Sequence, residues 1–596
     1  MTFVVEVDVP VPMRDGVTLA TNVWRPQSPG PFPALLVRTP YGKDDAGTFG
    51  NPKLPDVFAL VAAGYAVVAQ DVRGTSRSPG VFVPGVHEGD DGVDTLAWLA
   101  DQPWCDGAVG MWGGSYMGFA QWEAAAHTPA ALRAIAPVMT SADQYGAPWY
   151  SGGGALSQDA VLTWATLAAL RNLRRDLTAG QGDPADAELL LAGLADPRLL
   201  HEPFPIAEQG AASRYLPWVS DVLAHPERDA FWQRTAAIDH AARITTPALH
   251  VGGWYDVFAG ETLRSYTTMR RHGGSAAARD GQRLVMGPWS HADGTDLGTY
   301  PDRSFGPAGS IKAAGVTEAH LRFFDRWVRG RDEDAASDPR DEAHRVRIFV
   351  MGIDEWRDEV DWPLPGTRYT DYFLGGAGRA NTRTGDGTLT RAVSGTEATD
   401  TYLYDPRRPV PTVGGAVLAA VPGTYPGPAD QAEVETRDDV LCYTGAPLDR
   451  PVEVTGHVTL VLHVSSSATD TDFTGKLVDV HPDGRAILLC EGVRRARYRA
   501  SLTEPALLTP GDVYALTIDL GATSNVFLPG HRIRLEVSSS NFPRYDRNTN
   551  TGGVIASDGE DDVVVAVNRV HHGPSRLSRL VLPVVDRPAE QSAVAA

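Results

Sequence analysis

The segment AVGMWGGSYMG, residues 108–118, joins an apolar run typical of a buried strand to a pattern typical of a helix. A serine on such a strand-to-helix turn is exposed at the edge of a sheet, and glycines beside it tolerate the strained backbone. In the common G-x-S-x-G form of the turn the second glycine would stand at position 117, whereas here it is Gly118. Because a serine between glycines is also typical of an ordinary turn, Ser115 by itself leaves both interpretations open.

The segments on either side of this turn predict a mostly parallel sheet. Four more apolar runs, at residues 33–41, 64–74, 246–256 and 282–291, alternate with helical patterns. Alternating strands and helices build a parallel sheet that is covered on both faces. We therefore expect functional loops past the carboxyl ends of these strands.

The pattern of apolar and polar residues changes twice along the chain. These changes predict an α/β-hydrolase domain with an inserted helical cap and a C-terminal β jelly-roll domain. Residues 143–241 lack strand patterns and are rich in alanine and leucine, as expected of the cap. They separate two hydrolase segments, 1–142 and 242–345. From 346 to 590 short alternating runs lie between turn residues, a pattern typical of a β-sandwich or jelly roll. Residues 586–596 resemble a frayed tail.

The length, net charge and cysteine content of the chain disfavour several classes of function. A chain of 596 residues is too long for one small binding module, at about 150 residues per domain. A net charge of −21 disfavours binding to nucleic acid and to anionic membranes. Three separated cysteines fit a reducing compartment, and neither a secretory signal nor an apolar run of membrane length is visible. We expect a soluble cytoplasmic protein.

No pattern indicates a cofactor or a metal. Dinucleotide and P-loop motifs are missing from the sequence. The acidic run 87–91 precedes a helical pattern, where carboxylates favour the N-terminal dipole, and 558–562 lacks the spacing of a calcium loop. Asp470 and Asp472 are expected to be solvated turn residues. We therefore predict neither a cofactor nor a metal site.

A nucleophilic serine needs a base, and the base needs an orienting carboxylate. In α/β-hydrolases these follow the serine in the order acid, then histidine, at the ends of later strands. Asp256 ends one of the strands that follow the cap and His291 ends the next, so order and placement both fit. Taken singly, Asp256 could be a helix N-cap and His291 a histidine of a surface loop.

Longer stretches of the chain make a family recognisable. The stretches that carry the resemblance are PYGK (40–43), PWCDGAVGMWGGSYMG (103–118), VGGWYDVF (251–258), VMGPWSH (285–291), DTDFTGKLVDVHPDGRAI (470–487) and VSSSNFPRYDRNTNTGG (537–553). With them the chain resembles the CocE/NonD hydrolases, the X-Pro dipeptidyl-peptidase-like branch of α/β-hydrolases. The G-x-S-Y-x-G spacing is this family's own form.

The resemblance implies roles for individual residues. Ser115 corresponds to the nucleophile, Asp256 to the acid and His291 to the general base. Tyr41 corresponds to the tyrosine whose hydroxyl completes the oxyanion hole beside the N–H of Tyr116. A phenol is a neutral donor that can be aimed at developing negative charge. Without the resemblance, Tyr41 would be interpreted as an aromatic residue that packs on the sheet.

The resemblance also implies an acyl pocket. Trp149, Trp164 and Phe258 match aromatic positions that line the benzoyl site of the family's cocaine-cleaving member. Flat apolar side chains suit an aromatic acyl group, although aromatic residues in a helical block are equally typical of core packing. Residues 44–55 and 416–426 depart from the relative, so substrate preference is expected to differ.

The expected function is that of a serine carboxylesterase that hydrolyses small-molecule esters with an aromatic, benzoyl-like acyl group. The alternatives within hydrolases are an X-Pro dipeptidyl peptidase or a β-lactam acylase or amino-acid ester hydrolase, all of which must bind a free amine. A non-enzymatic alternative is a carbohydrate- or surface-binding protein that works through its jelly roll. The resemblance implies a homodimer, formed through the jelly roll or the cap.

Overall fold

The computed structural model of this chain describes residues 2–45, 49–330, 343–418 and 425–586. Within them, one ten-stranded sheet and one eleven-stranded sheet organise the fold. The predicted tail lies outside the described residues except for Asp586. The predicted fold class, an α/β-hydrolase domain with inserted helices followed by a β domain, is confirmed.

The first sheet is parallel in its centre. Its strands are β1 (Phe3–Pro12), β2 (Thr18–Pro26), β3 (Phe32–Thr39), β4 (Ala66–Asp71), β5 (Cys105–Gly114), β6 (Leu132–Val138), β7 (Leu249–Tyr255), β8 (Arg283–Ser290), β9 (Val346–Val350) and β10 (Glu355–Glu359). They lie in the order β1-β2-β4-β3-β5-β6-β7-β8-β9-β10. The pairs from β4 to β9 are parallel, and antiparallel strands close both edges. Every residue of β3 and β4 is buried, as expected of central parallel strands.

Helices cover both faces of this sheet. The helices are α1 (Val57–Ala62), α2 (Glu88–Ala100), α3 (Tyr116–Ala126), α4 (Gln158–Thr178), α5 (Pro184–Ala195), α6 (Arg198–His201), α7 (Gly210–Tyr215), α8 (Trp218–Ala224), α9 (Ala230–Gln233), α10 (Ala259–His272), α11 (Ala276–Asp280), α12 (Ile311–Ala314) and α13 (Val316–Trp327). Apolar residues of α2 and α3 pack on one face, and those of α1 and α13 pack on the other. Among the described residues, no helix combines the length and the apolar character that crossing a membrane requires.

The inserted helices α4 to α9 all fall inside the segment predicted as the cap. They separate β6 from β7 in sequence, yet these two strands are neighbours in the sheet, where Val138 pairs with Val251. A cluster rich in tryptophan, including Trp149, Trp164 and Trp218, forms the interior of this insertion. The same cluster includes Tyr116 and Phe119 of α3 and Leu418, so the apolar interior of the insertion is continuous with the rest of the molecule.

The second sheet forms the C-terminal β domain. Its strands are β11 (Arg368–Gly375), β12 (Thr388–Thr390), β13 (Ala398–Tyr404), β14 (Leu441–Thr444), β15 (Val452–Ser466), β16 (Asp472–Val480), β17 (Ala486–Arg495), β18 (Tyr514–Phe527), β19 (Arg532–Ser538), β20 (Ala566–His572) and β21 (Arg579–Val585). The long β15 pairs with β18 along one edge and with β20 and β21 along the other. The jelly-roll description of this domain stays a prediction.

Two details of the structure differ from the predictions made from the sequence. β9 and β10 extend the first sheet, because β9 pairs in parallel with β8, so the change of sheet comes after the boundary expected at residue 345. Alternation along a strand does not reveal which sheet receives it. The prediction of solvated Asp470 and Asp472 is wrong: both carboxylates are buried, where Asp470 pairs with Arg497 and Asp472 with Arg495.

Candidate active site

The turn around Ser115 is strained and tightly packed. Ser115 lies between β5 and α3 with φ 56° and ψ −128°, a backbone conformation that non-glycine residues rarely adopt. A Cβ atom on Gly113 would lie 2.7 Å from that of Met117, and one on Gly118 would lie 2.5 Å from the Thr140 methyl group. Both glycines therefore permit close approach, and Gly118 lets α3 lie against the segment that follows β6.

Three side chains meet past the carboxyl ends of the parallel strands. Nε2 of His291 lies 3.1 Å from Oγ of Ser115, and its Nδ1 lies 3.0 Å from a carboxylate oxygen of Asp256. The second oxygen of Asp256 accepts the Phe258 N–H at 2.7 Å. Because an ionised carboxylate only accepts, the Nδ1–H donates to Asp256, which leaves Nε2 free to accept the serine proton. The arrangement can move a proton from hydroxyl to imidazole.

The side chains of Asp256 and His291 differ in their exposure to solvent. The Asp256 side chain is fully buried, whereas that of His291 is 16% exposed. The carboxylate is therefore shielded from water, and the imidazole stays within reach of solvent and ligand.

Backbone and phenol donors lie beside Ser115. The N–H of Ser115 donates to the Val138 carbonyl at 2.9 Å and is thus engaged with the sheet. Tyr116 is the first residue of α3, so its N–H has no acceptor within the helix. Trp164 Nε1–H approaches the Tyr41 hydroxyl oxygen at 3.4 Å. Because indole only donates, the Tyr41 O–H remains available to another acceptor.

The Tyr116 side chain makes buried hydrogen bonds, whereas its backbone N–H lies beside Ser115. Its hydroxyl donates to Glu88 at 2.7 Å and accepts the Gly85 N–H at 2.9 Å. Burial raises the pKa of this phenol well above its ordinary value, and the nearby Glu88 carboxylate raises it further. Glu88 is in turn paired with Arg38 at 3.0 Å. These buried contacts anchor the first turn of α3 beneath Ser115.

An apolar pocket opens at Ser115. Its described lining residues are Tyr41, Ser115, Tyr116, Phe119, Thr140, Ser141, Gln144, Pro148, Trp149, Trp164, Phe258 and Leu418. The Trp149 and Trp164 rings lie 5.0 Å apart, and the Phe258 ring lies 5.2 Å from that of His291. The three aromatic residues expected from the sequence therefore meet at one pocket. The first two also pack within the apolar cluster of the cap, so lining and packing coincide.

Leu418 joins this pocket from the C-terminal domain. Its N–H donates to Asp159, at the start of α4, at 3.2 Å. Burial raises the pKa of the Asp159 carboxyl to about 6. Leu418 belongs to the stretch 416–426 that departs from the relative, and its place in the pocket was not predicted from the sequence. Residues 419–424 lie outside the described residues.

Sequence reasoning missed Lys53. This lysine is buried, and its ammonium donates to the carbonyls of His291, at 3.0 Å, and Ala292. Burial lowers its pKa, and the nearby Asp256 carboxylate opposes that shift. The only signal in the sequence was a lysine within the apolar context NPKLP, which does not identify a distant acceptor.

Two family models match successive parts of the chain. Residues 15–293 match the X-Pro dipeptidyl-peptidase (S15) family, and residues 341–581 match the X-Pro dipeptidyl-peptidase C-terminal non-catalytic domain. The chain is 50% identical to a cocaine esterase of Rhodococcus sp. (strain MB1 Bresler) over 97% of its own length and 98% of the relative's.

Two solved structures share the whole architecture. An aminopeptidase from a marine sediment archaeon, Thaumarchaeota archaeon, is 26% identical with a TM-score of 0.79. An α-amino acid ester hydrolase is 27% identical with a TM-score of 0.78. Each comparison covers 98% of this chain and 97% of the other. The chain belongs to the X-Pro dipeptidyl-peptidase (S15) family, in the CocE/NonD branch of the α/β-hydrolases.

Proposed function

We propose that this protein is a serine carboxylesterase that hydrolyses esters with an aromatic, benzoyl-like acyl group. The observation that carries the proposal is the continuous contact from Asp256 through His291 to Ser115, next to an aromatic pocket. The 50% identity to a cocaine esterase supports the same bond and acyl class.

Acylation begins with Ser115. As its oxygen attacks the ester carbonyl, His291 Nε2 accepts the hydroxyl proton, and Asp256 stabilises the resulting imidazolium. The Tyr116 N–H and the Tyr41 O–H donate to the oxyanion, and such donors act strongly because they are oriented before the charge develops. The tetrahedral intermediate collapses when His291 returns the proton to the leaving alcohol.

Deacylation repeats these steps with water. His291 accepts a proton from water as the water oxygen attacks the acyl-enzyme carbonyl, and then protonates Ser115 as the acid is released. The 16% exposure of the imidazole is consistent with water access. Neither half-reaction requires a cofactor or a metal.

The pocket favours a flat, uncharged acyl group. Trp149, Trp164 and Phe258 offer ring faces and edges, and Leu418 adds an aliphatic wall. Such a lining stabilises an aromatic acyl group through apolar burial and ring contacts. Preference for the alcohol part of the ester is expected to differ from that of the relative, because residues 416–426 diverge.

An amine-recognising hydrolase is the second candidate, since an aminopeptidase and an α-amino acid ester hydrolase share the fold. Recognition of a free α-amine requires a carboxylate in the pocket. Among the described residues that line this pocket, none is aspartate or glutamate. The adjoining cavity shares Pro148 and Leu418 with this pocket and is lined by Asp159 and Glu261, so parallel assays on a benzoate ester and an X-Pro amide decide between the two candidates.

A non-enzymatic surface-binding role has less support, because it does not require the contacts of Ser115, His291 and Asp256. A homodimer and a cytoplasmic location stay predictions from the sequence.

The test is the Ser115→Ala variant. It should lose at least about 10⁴-fold in kcat/KM on a phenyl or methyl benzoate, because the nucleophile is removed. A fluorophosphonate should label the wild type and not the variant, with equal circular dichroism spectra for both. Activity of the variant near the wild-type value would reject the role of Ser115. Faster turnover by the wild type of an X-Pro amide than of the benzoate would favour the second candidate.

A further inference from the structure

Three ligand-type side chains cluster in the C-terminal domain, outside the pocket at Ser115. Asp479 lies near the end of β16, His481 follows that strand, and His531 directly precedes β19. β16 and β19 are antiparallel neighbours, with Asp479 opposite Ile533. Residues two apart on a strand share a face, so this register brings the three side chains to one side of the sheet.

The distances between these groups are close to those of a metal site. Asp479 lies 2.8 Å from Nδ1 of His531 through one oxygen and 4.0 Å from Nε2 of His481 through the other. One ligand atom from each residue lies within 4.8 Å of the other two. In a tetrahedral site with bonds of about 2.0–2.1 Å, ligand atoms are about 3.3 Å apart. An ion would replace the hydrogen bond between His531 and Asp479, and a rotation of His481 would bring the third ligand atom into range.

The burial of the three side chains also suits a cation. Asp479 and His531 are buried, whereas the His481 side chain is 20% exposed, which gives an ion access from solvent. The Asp479 carboxylate supplies negative charge.

One positive group opposes the ion. An Arg485 guanidinium nitrogen lies 3.5 Å from Nδ1 of His481, and this arginine is paired with Asp483 in the same turn. Its charge should weaken cation binding without preventing it, because the side chain is 46% exposed and screened by water.

We propose that Asp479, His481 and His531 bind a divalent transition-metal ion of the zinc class. Two imidazole nitrogens and one carboxylate oxygen would be its ligands, and water would complete the coordination. Imidazole and carboxylate together suit Zn²⁺, Co²⁺ and Ni²⁺ better than Ca²⁺ or Mg²⁺. The ion would join the end of β16 to the start of β19 and stabilise the folded chain, with no part in ester hydrolysis.

The experiment uses the full-length, untagged protein after treatment with a chelator. Titration with Co²⁺, followed by visible absorption, and with Zn²⁺, followed by calorimetry, should show one equivalent bound and a rise in Tm. His481→Phe should weaken binding at least about tenfold and leave benzoate hydrolysis unchanged. His225→Phe is the matched control, because among the described residues His225 pairs with a single carboxylate, that of Asp229, in the cap.

Arg485→Ala provides an independent variant, since it removes the opposing charge and retains all three ligands. It should bind Co²⁺ more tightly than the wild type. The absence of stoichiometric binding by the wild type would overturn the proposal. So would equal affinity of the His481→Phe variant and the wild type.

Discussion

Lys53 holds the loop that carries His291, although it is not among the residues that line the pocket. Its ammonium donates to two successive carbonyls, of His291 and Ala292. Backbone carbonyls in a buried loop need donors, and a lost donor frees the loop to move. The orientation of the imidazole is therefore expected to depend on a lysine that takes no part in proton transfer.

The Lys53→Met variant tests this positioning role. Methionine retains an apolar side chain of similar length and removes the donor, so we expect kcat to fall about 10- to 100-fold with little change in KM. Steady-state kinetics on a benzoate ester would measure both constants. Lys312→Met, at an exposed lysine, is the matched control and should behave as the wild type. A lower Tm with an unchanged kcat would show that Lys53 contributes only to stability.

At the scale of elements, α13 packs a histidine against the sheet. His320 is fully buried in α13, and its Nδ1–H donates to the Val316 carbonyl at 2.8 Å. Burial lowers its pKa to about 4. Its unfolded pKa is about 6.5, so between these values the unfolded chain binds a proton that the folded chain does not. Its effect is a loss of stability as the pH falls from about 6.5 to about 4.

The His320→Leu variant should lack this part of the acid sensitivity. Between pH 6.5 and pH 4.5 the wild type should lose about 2–3 kcal/mol more of its unfolding free energy than the variant. Urea unfolding of both proteins at the two pH values measures the difference. His240→Leu, at an exposed histidine, should retain the wild-type dependence. Identical losses in the wild type and His320→Leu would contradict the prediction.

At the scale of the whole molecule, a buried arginine joins the β domain to the cap. The Arg495 guanidinium pairs with Asp472 at 3.0 Å and with Asp546 at 2.6 Å. Asp546 also accepts the Leu156 N–H at 2.9 Å, and the Arg495 N–H donates to the Gly153 carbonyl at 3.0 Å. Both ions of each pair are almost fully buried, so each depends on its partner for solvation.

The Arg495→Met variant should therefore lose about 3–5 kcal/mol of unfolding free energy, because two buried carboxylates lose their counterion. Chemical unfolding measures the loss. Arg368→Met is the matched control: the Arg368–Asp586 pair is more than half exposed, and such pairs contribute about 0–1 kcal/mol. Similar small losses in both variants would contradict the assigned role of Arg495.

The residues of the candidate site could be predicted because they lie at strand ends. Ser115, Asp256 and His291 each follow an apolar run of a parallel sheet, and the carboxyl ends of parallel strands meet at one edge. Strand order did not need to be known for this inference. The family resemblance then favoured a nucleophilic Ser115 in a hydrolase over a serine in an ordinary turn.

Features that depend on a distant partner could not be predicted. Asp472 looked like a turn residue because its partner Arg495 is 23 positions away, and Lys53 is 238 positions from His291. Likewise, the alternation in β9 does not indicate that it pairs with β8. Local sequence patterns indicate the periodicity of strands and helices and the positions of turns. Burial of a charged side chain depends instead on tertiary contacts.

The insertion of the cap between β6 and β7 has a consequence for modular exchange. The points where the insertion departs and returns are adjacent, because the Ile238 N–H donates to the Ala142 carbonyl at 3.2 Å. A replacement segment of any length therefore meets nearly the same geometric requirement at its two ends, and loop closure adds little cost. Trp149 and Trp164 belong to the inserted segment, whereas Ser115 does not. Substrate selectivity can therefore change through exchange of the segment without a change in the reactive serine.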